Sequence, residues 1–274
     1  MGWIEAIVLG LVQGLTEFLP ISSTAHLLLA SRSFGWGDPG AAYTAVIQIG
    51  TTLAVLLYFR KDIINIVVTW VQSLFKPELR GQTAAREGWY IIIGTIPIGV
   101  LGFVFRDSIE QGARNLWILA IAMIVVGLVL EVADRVGRRA KEISDLNVRD
   151  GLLYGIAQAC ALIPGVSRSG ATISGGLFLG YTRVAALRYS FLLSIPAVLA
   201  SGLFEARKIG SKGNEVSWGP TLLSTVIAFV VGYATIAWLL RYVASNSFRL
   251  FVIYRVALGV IIICFLIGGV NPRS

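Results

Sequence analysis

Long apolar runs constrain this chain more than any other feature. Six segments, about 42–59, 88–105, 116–133, 186–204, 220–240 and 250–268, are apolar and bounded by charge or turn residues. Each approaches or exceeds the roughly 17–25 residues that a helix needs to cross a bilayer. The whole chain is 56% hydrophobic and only 14% charged, against about 45–50% and about 25% in soluble domains. These runs predict an all-α polytopic membrane protein, a single integral membrane domain over 1–274.

The net charge of +8 does not imply nucleic acid, because the basic residues cluster in short loops beside apolar runs. The loop near 60–87 carries Arg60, Lys61, Lys76, Arg80 and Arg86, and the loop near 134–149 carries Arg135, Arg138, Arg139, Lys141 and Arg149. Two crossings separate them, so they share a side, and the positive-inside tendency makes it the cytoplasm. Cys160 and Cys264 sit in apolar segments without metal or disulfide spacing, which predicts small buried hydrophobes. The start, Met1-Gly2-Trp3-Ile4-Glu5, lacks a basic n-region and is expected to belong to the fold. The tryptophans and tyrosines are expected to include interface anchors.

Two further segments depart from the plain pattern. Residues 3–30 are apolar at both ends but hold Gln13, Glu17, Pro20, Ser22, Ser23, Thr24 and His26 between them. Residues 150–181 hold Pro164-Gly165-Val166-Ser167-Arg168-Ser169-Gly170-Ala171-Thr172. Unpaired polar groups cost several kcal/mol each in the lipid phase, so broken, shielded helices are expected. A shift of 145 residues matches Gly10 to Gly155, Gln13 to Gln158 and Ser22 to Ser167. Each broken segment precedes three plain spans. The chain therefore reads as two structural repeats, about 1–134 and 150–270. If each broken segment is a re-entrant hairpin, each half crosses three times and the second is inverted. Loop charge alone does not separate hairpins from full crossings; the Pro-Gly-Ser composition and the facing polar clusters favour hairpins.

Gln13 and Glu17 are four apart and share a helix face, a spacing of oxygen ligands suited to Mg²⁺ or Ca²⁺. The alternative is a structural pairing between helices. His26, the sole histidine, suits a nucleophile or a proton donor toward phosphorus, or simply packs. Arg168 offers a planar fork of donors for phosphate, or braces the halves through Glu17. Gly165 and Gly170 allow backbone N–H groups to approach an anion, and Ser167, Ser169 and Thr172 add hydroxyls. Gln48 is a further candidate. Glu131, Asp134 and Arg135 read as solvated helix-end residues. Arg255, inside the last span, snorkels, pairs or lies near the site; all three stay open. The chain has no GxxxxGK[ST], CxxC, HExxH or dinucleotide fingerprint, which argues against ATP-driven transport and redox chemistry.

Gln13-Gly14-Leu15-Thr16-Glu17-Phe18-Leu19-Pro20-Ile21-Ser22-Ser23-Thr24-Ala25-His26 resembles the first motif of the undecaprenyl-diphosphate phosphatases, the bacitracin-resistance (BacA/UppP) family, and Pro164 to Thr172 resembles the second. The resemblance covers essentially the whole chain. It implies hydrolysis of undecaprenyl diphosphate to undecaprenyl phosphate and phosphate in the bacterial inner membrane, recycling the carrier of cell-wall synthesis, with a site opening to the outer face. It implies two inverted repeats with re-entrant hairpins, support by a divalent cation, and roles in catalysis or diphosphate binding for Glu17, Ser23, His26 and Arg168. Ser22, Thr24, Gly165, Ser167, Ser169, Gly170 and Thr172 are expected around the diphosphate, and Gln13 with Glu17 around the metal. The family's first position is Glu or Gln; here it is Gln13, a weaker ligand than a carboxylate. The expected partners are the polyprenyl diphosphate lipid, membrane lipids and a second copy in a homodimer. The rival is a transporter or flippase of a polyprenyl phosphate lipid, which needs an anion site but no proton-transfer group. A purely structural scaffold would leave both polar clusters unexplained.

Overall fold

The computed structural model describes residues 1–105, 115–210 and 216–269; the final residue of the second expected repeat lies outside them. The described residues form eleven α-helices: α1 Trp3–Thr16, α2 Ser23–Ser33, α3 Gly40–Tyr58, α4 Arg60–Phe75, α5 Thr83–Val104, α6 Leu116–Val136, α7 Val148–Ala159, α8 Arg168–Phe178, α9 Arg183–Ala206, α10 Trp218–Ser245 and α11 Arg249–Ile267. Six of them, α3, α5, α6, α9, α10 and α11, are long and apolar enough to cross a membrane. They coincide with the six expected runs. Their outward faces carry exposed Ile, Leu, Val and Phe side chains, among them Leu57, Ile96, Val100, Leu128, Val230 and Phe265, as a lipid-facing surface requires.

One helix departs from the sequence reading. Residues 60–75, expected as loop, form α4. Ile66, Thr69 and Ser73 are buried, while Ile64, Val67, Val68, Val71 and Phe75 are exposed. The charged start Arg60-Lys61-Asp62 and the polar positions within it kept this segment from reading as a span.

The two broken segments are α1–α2 and α7–α8. Each pair packs against itself across its break. α1 also packs along α10, and α7 along α5. Glycines set the closeness of both contacts. A Cβ on Gly10 would come within 2.8 Å of the Ser224 carbonyl oxygen, and one on Gly155 within 2.4 Å of the Gly94 carbonyl oxygen. The largest core joins the elements around both breaks: Phe18 meets Phe191 edge-on at 5.0 Å, with Ile21, Phe59, Ile173, Leu187, Ile236 and Phe251 around them.

Two expectations are corrected here. Cys160 and Cys264 are exposed rather than buried, because the faces that carry them turn away from the packed interior. Asp134 is buried rather than solvated. Its carboxylate accepts from Arg183 Nε at 2.6 Å and Nη2 at 3.1 Å, and from the Phe248 N–H at 3.0 Å, tying the ends of α6, α9 and α11 together. Glu131 and Arg135 make the ordinary i, i+4 surface pair.

Candidate active site

The site forms where the two breaks meet. Pro20 supplies no N–H to continue α1, and the chain turns through Ser22 at φ +75° before α2 begins. The second break repeats this at Ser167, φ +67°, ahead of α8. Both serines cap the next helix: Ser22 Oγ accepts from the Ala25 N–H at 3.5 Å and Ser167 Oγ from the Gly170 N–H at 3.2 Å. Positive φ is rare for a side-chain-bearing residue and costs about 1–3 kcal/mol, a strain concentrated at functional sites. Gly165, at φ +88°, has no room for a side chain, since its Cβ would lie 2.4 Å from the Leu119 carbonyl oxygen.

Glu17 stands at the centre. Its Oε2 accepts from Gln13 Nε2 at 2.9 Å and from Ser23 Oγ at 2.7 Å. Its Oε1 faces Arg168 Nη2 at 3.4 Å, and the same Nη2 donates to Gln48 Oε1 at 2.9 Å. Arg168 and Glu17 side chains remain 18% and 11% exposed. At 3.4 Å the contact is long, and for a largely buried pair the cost of desolvating both charges offsets much of their attraction, so Arg168 is left with donors to offer an arriving anion. Ser23, hydrogen-bonded to a carboxylate that Gln13 orients in turn, has the layout of an activated nucleophile.

These groups line a cavity of about 610 Å³. Glu17, Ser22, Ser23, Thr24, Gln48, Gly165, Ser167 and Arg168 form its polar end. The rest is mostly apolar, with Ile98, Gly99, Gly102 and Phe103 from α5, Ala161 to Ile163 before the second break, and Ala197, Ala200 and Phe204 from α9; Thr95, Ser201 and Glu205 interrupt it. A polar head with an apolar tail matches that shape.

Other expected site residues stand behind the cavity wall. Ser169 Oγ donates to the Leu19 carbonyl at 3.1 Å and so links the second break to the first. Thr172 is fully buried; its hydroxyl bonds the Arg168 carbonyl at 2.8 Å and meets Ser190 Oγ. Gly170 gives its N–H to Ser167 Oγ. His26 lies one helical turn beyond Ser23 and faces α11. Its Nδ1 lies 2.7 Å from the Ser22 carbonyl oxygen, which can only accept, so Nδ1 carries the proton; Nε2 then accepts from Tyr254 Oη at 2.7 Å. The imidazole and phenol rings stack at 5.5 Å. Tyr254 escaped the sequence reading because one tyrosine in an apolar span carries no signal of its partner.

For a cation, the fit rests on oxygen donors. Gln13 Oε1 is buried and has no hydrogen-bond partner, beside the carboxylate that its own Nε2 holds. Glu17 and Gln13 suit a hard cation that takes its other ligands from water and from phosphate oxygens.

The family model for bacitracin resistance protein BacA matches residues 6–261. The chain belongs to that family. BacA relatives align along almost its whole length. Undecaprenyl-diphosphatase 2 of Frankia casuarinae is 58% identical over 98% of this chain and 96% of its own. The undecaprenyl-diphosphatase of a Nocardioides species is 58% identical over 98% of both chains. Undecaprenyl-diphosphatase 2 of Streptomyces coelicolor is 56% identical over 100% of this chain and 98% of its own.

Proposed function

We propose that this BacA-family protein hydrolyses undecaprenyl diphosphate to undecaprenyl phosphate and inorganic phosphate. The observation that carries the reading is the cavity that joins the Glu17–Ser23–Arg168 cluster to an apolar corridor. The names of its relatives favour hydrolysis over carriage.

In this reading the prenyl tail lies along Ile98, Gly99, Gly102 and Phe103, and the diphosphate meets Arg168. Arg168 leaves Gln48 and Glu17 to take phosphate oxygens in its planar fork, and its charge stabilises the transferring phosphoryl group. Ser22, Thr24, Ser167 and the backbone at Gly165 complete the head site, while Ser169, Gly170 and Thr172 hold its shape from behind. Glu17 takes the proton of Ser23 as Ser23 Oγ attacks the terminal phosphorus; the P–O anhydride bond breaks and undecaprenyl phosphate leaves. Water then cleaves the phosphoserine. In the direct route, water takes the place of the serine oxygen. The leaving group is a phosphate, stable as an anion, so it needs little help from an acid. His26 steadies the strained Ser22 carbonyl through Nδ1, and it joins proton transfer only after its ring releases Tyr254. A divalent cation held by Glu17 and Gln13 would neutralise phosphate charge.

The same proposal includes the topology. Two repeats, about 1–134 and 150–270, are inverted, and α1–α2 and α7–α8 are re-entrant hairpins in one membrane domain. The support is reciprocal. Gly10 and Gly155 sit at equivalent close contacts, Gln13 and Gln158 are both buried, and Ser22 and Ser167 are both positive-φ caps. The first helix of each broken segment packs on the middle span of the other half. The site opens to the outer face of a bacterial inner membrane, opposite the basic loops.

The test is phosphate release from undecaprenyl diphosphate by purified protein, with and without chelator, beside Arg168→Ala. Release that chelation slows and the substitution abolishes is expected. No release by folded protein that still binds the lipid would overturn the reading.

A further inference from the structure

Arg255 lies inside α11 and is fully buried. A charge at that depth is rare and usually functional. It does not line the cavity, so it does not meet substrate there. Its guanidinium donates instead to four backbone carbonyls: Met123 from Nε at 2.8 Å, Pro20 from Nη1 at 2.9 Å, and Gly165 and Val166 from Nη2 at 3.1 Å each. Met123 belongs to the α6 framework. Pro20 precedes the strained Ser22 by two residues; Gly165 and Val166 immediately precede the strained Ser167. The breaks in the helices have released these carbonyls from the helical ladder, and buried carbonyls need donors.

The space for this side chain is built by two glycines. A Cβ on Gly127 would lie 3.0 Å from Arg255 Cγ and 3.1 Å from Cδ, and one on Gly170 would lie 2.8 Å from Nη1. A planar fork reaches both breaks at once, which a lysine ammonium cannot.

We propose that Arg255 is a positioning residue that fixes the two broken segments in register, so that Glu17 and Ser23 from one face Arg168 from the other. The inference rests on the hydrolase reading for its kinetic consequence, but not for its structural one. A misplacement of about 1 Å between reacting groups costs about 100-fold in rate.

The test uses full-length Arg255→Lys and Arg255→Gln in detergent or nanodiscs, with two readouts. Hydrogen exchange is expected to rise together in peptides covering 17–24 and 163–170, with α3 and α9 unchanged. The value of kcat with undecaprenyl diphosphate is expected to fall about 100-fold in Arg255→Gln, measured well below the variant's Tm, with Arg255→Lys no better than partly active. Exchange that rises only in α6 and α11, or kcat within threefold of wild type in a folded variant, would overturn the proposal. Gly127→Ala covers the case in which neither variant folds, because it crowds the arginine stem without removing its charge. It is expected to loosen the same two peptides, and unchanged exchange there would equally overturn the proposal. A wild type without hydrolase activity leaves the exchange readout decisive.

Discussion

At the scale of single residues, the arrangement around Glu17 makes one carboxylate serve three partners. Gln13 and Ser23 share Oε2, and Arg168 approaches Oε1. Glu17→Gln keeps the size and can still receive one of these bonds, but it can no longer take a proton. We expect kcat to fall about 10²–10⁴-fold while the protein still binds undecaprenyl diphosphate, measured by phosphate release and by lipid binding on the same preparation. Glu17 and Arg168 stood out in the sequence because a carboxylate and a guanidinium in apolar surroundings have few innocent explanations; Ser23 stood out only through the motif it shares with the family, since hydroxyls in apolar helices commonly bond the carbonyl four residues back, as Thr16, Thr95 and Thr221 do. The directions of their neighbours were not legible. Ser169 and Thr172 face the protein rather than the cavity because the helical phase of α8 starts at Ser167, and a string of letters does not state where that phase starts. Asp134 was misread for a related cause: its partner Arg183 lies 49 residues away.

Between elements, backbone approach governs. Gly155 lets α7 lie directly against α5, with the Gly94 carbonyl where a methyl group would stand. Gly155→Ala forces the two helices apart and is expected to destabilise the protein by about 1–3 kcal/mol, visible as a lower Tm in detergent. Gly81→Ala, with nothing within 4 Å of its added Cβ, is the control and should leave Tm unchanged. The six spans were legible because continuous apolar length is a one-dimensional property. Helix α4 was not, because its charged start and interior polar residues interrupt the run, and its helicity comes from docking one narrow face on α5. The breaks at Pro20 and Pro164-Gly165 were legible through the chemistry of proline and glycine.

For the whole molecule, the cavity is the feature that ties distant parts together. Its apolar wall includes Gly99, whose added Cβ would meet open space. A large side chain there would occupy the corridor assigned to the prenyl tail while leaving the head groups alone. Gly99→Phe is expected to raise KM for undecaprenyl diphosphate at least tenfold and to change KM for a short-chain prenyl diphosphate far less. A one-carbon step in an apolar pocket is already worth ~1–3 kcal/mol. Equal effects on both chain lengths would place the tail elsewhere.

The packing of α1 along α10 also has a consequence for how the chain is made. Ser224 donates to the Ala6 carbonyl across 218 residues of sequence. At translation speeds of about 5–20 residues per second, roughly 10–40 s separate the emergence of the first helix from that of its mate. Through that interval the ribosome has delivered Gln13 and Glu17 but not the helix against which Gly10 and Gly14 of the same segment pack, so the opening stretch has to be sheltered at the insertion machinery or at the water boundary until synthesis is nearly over.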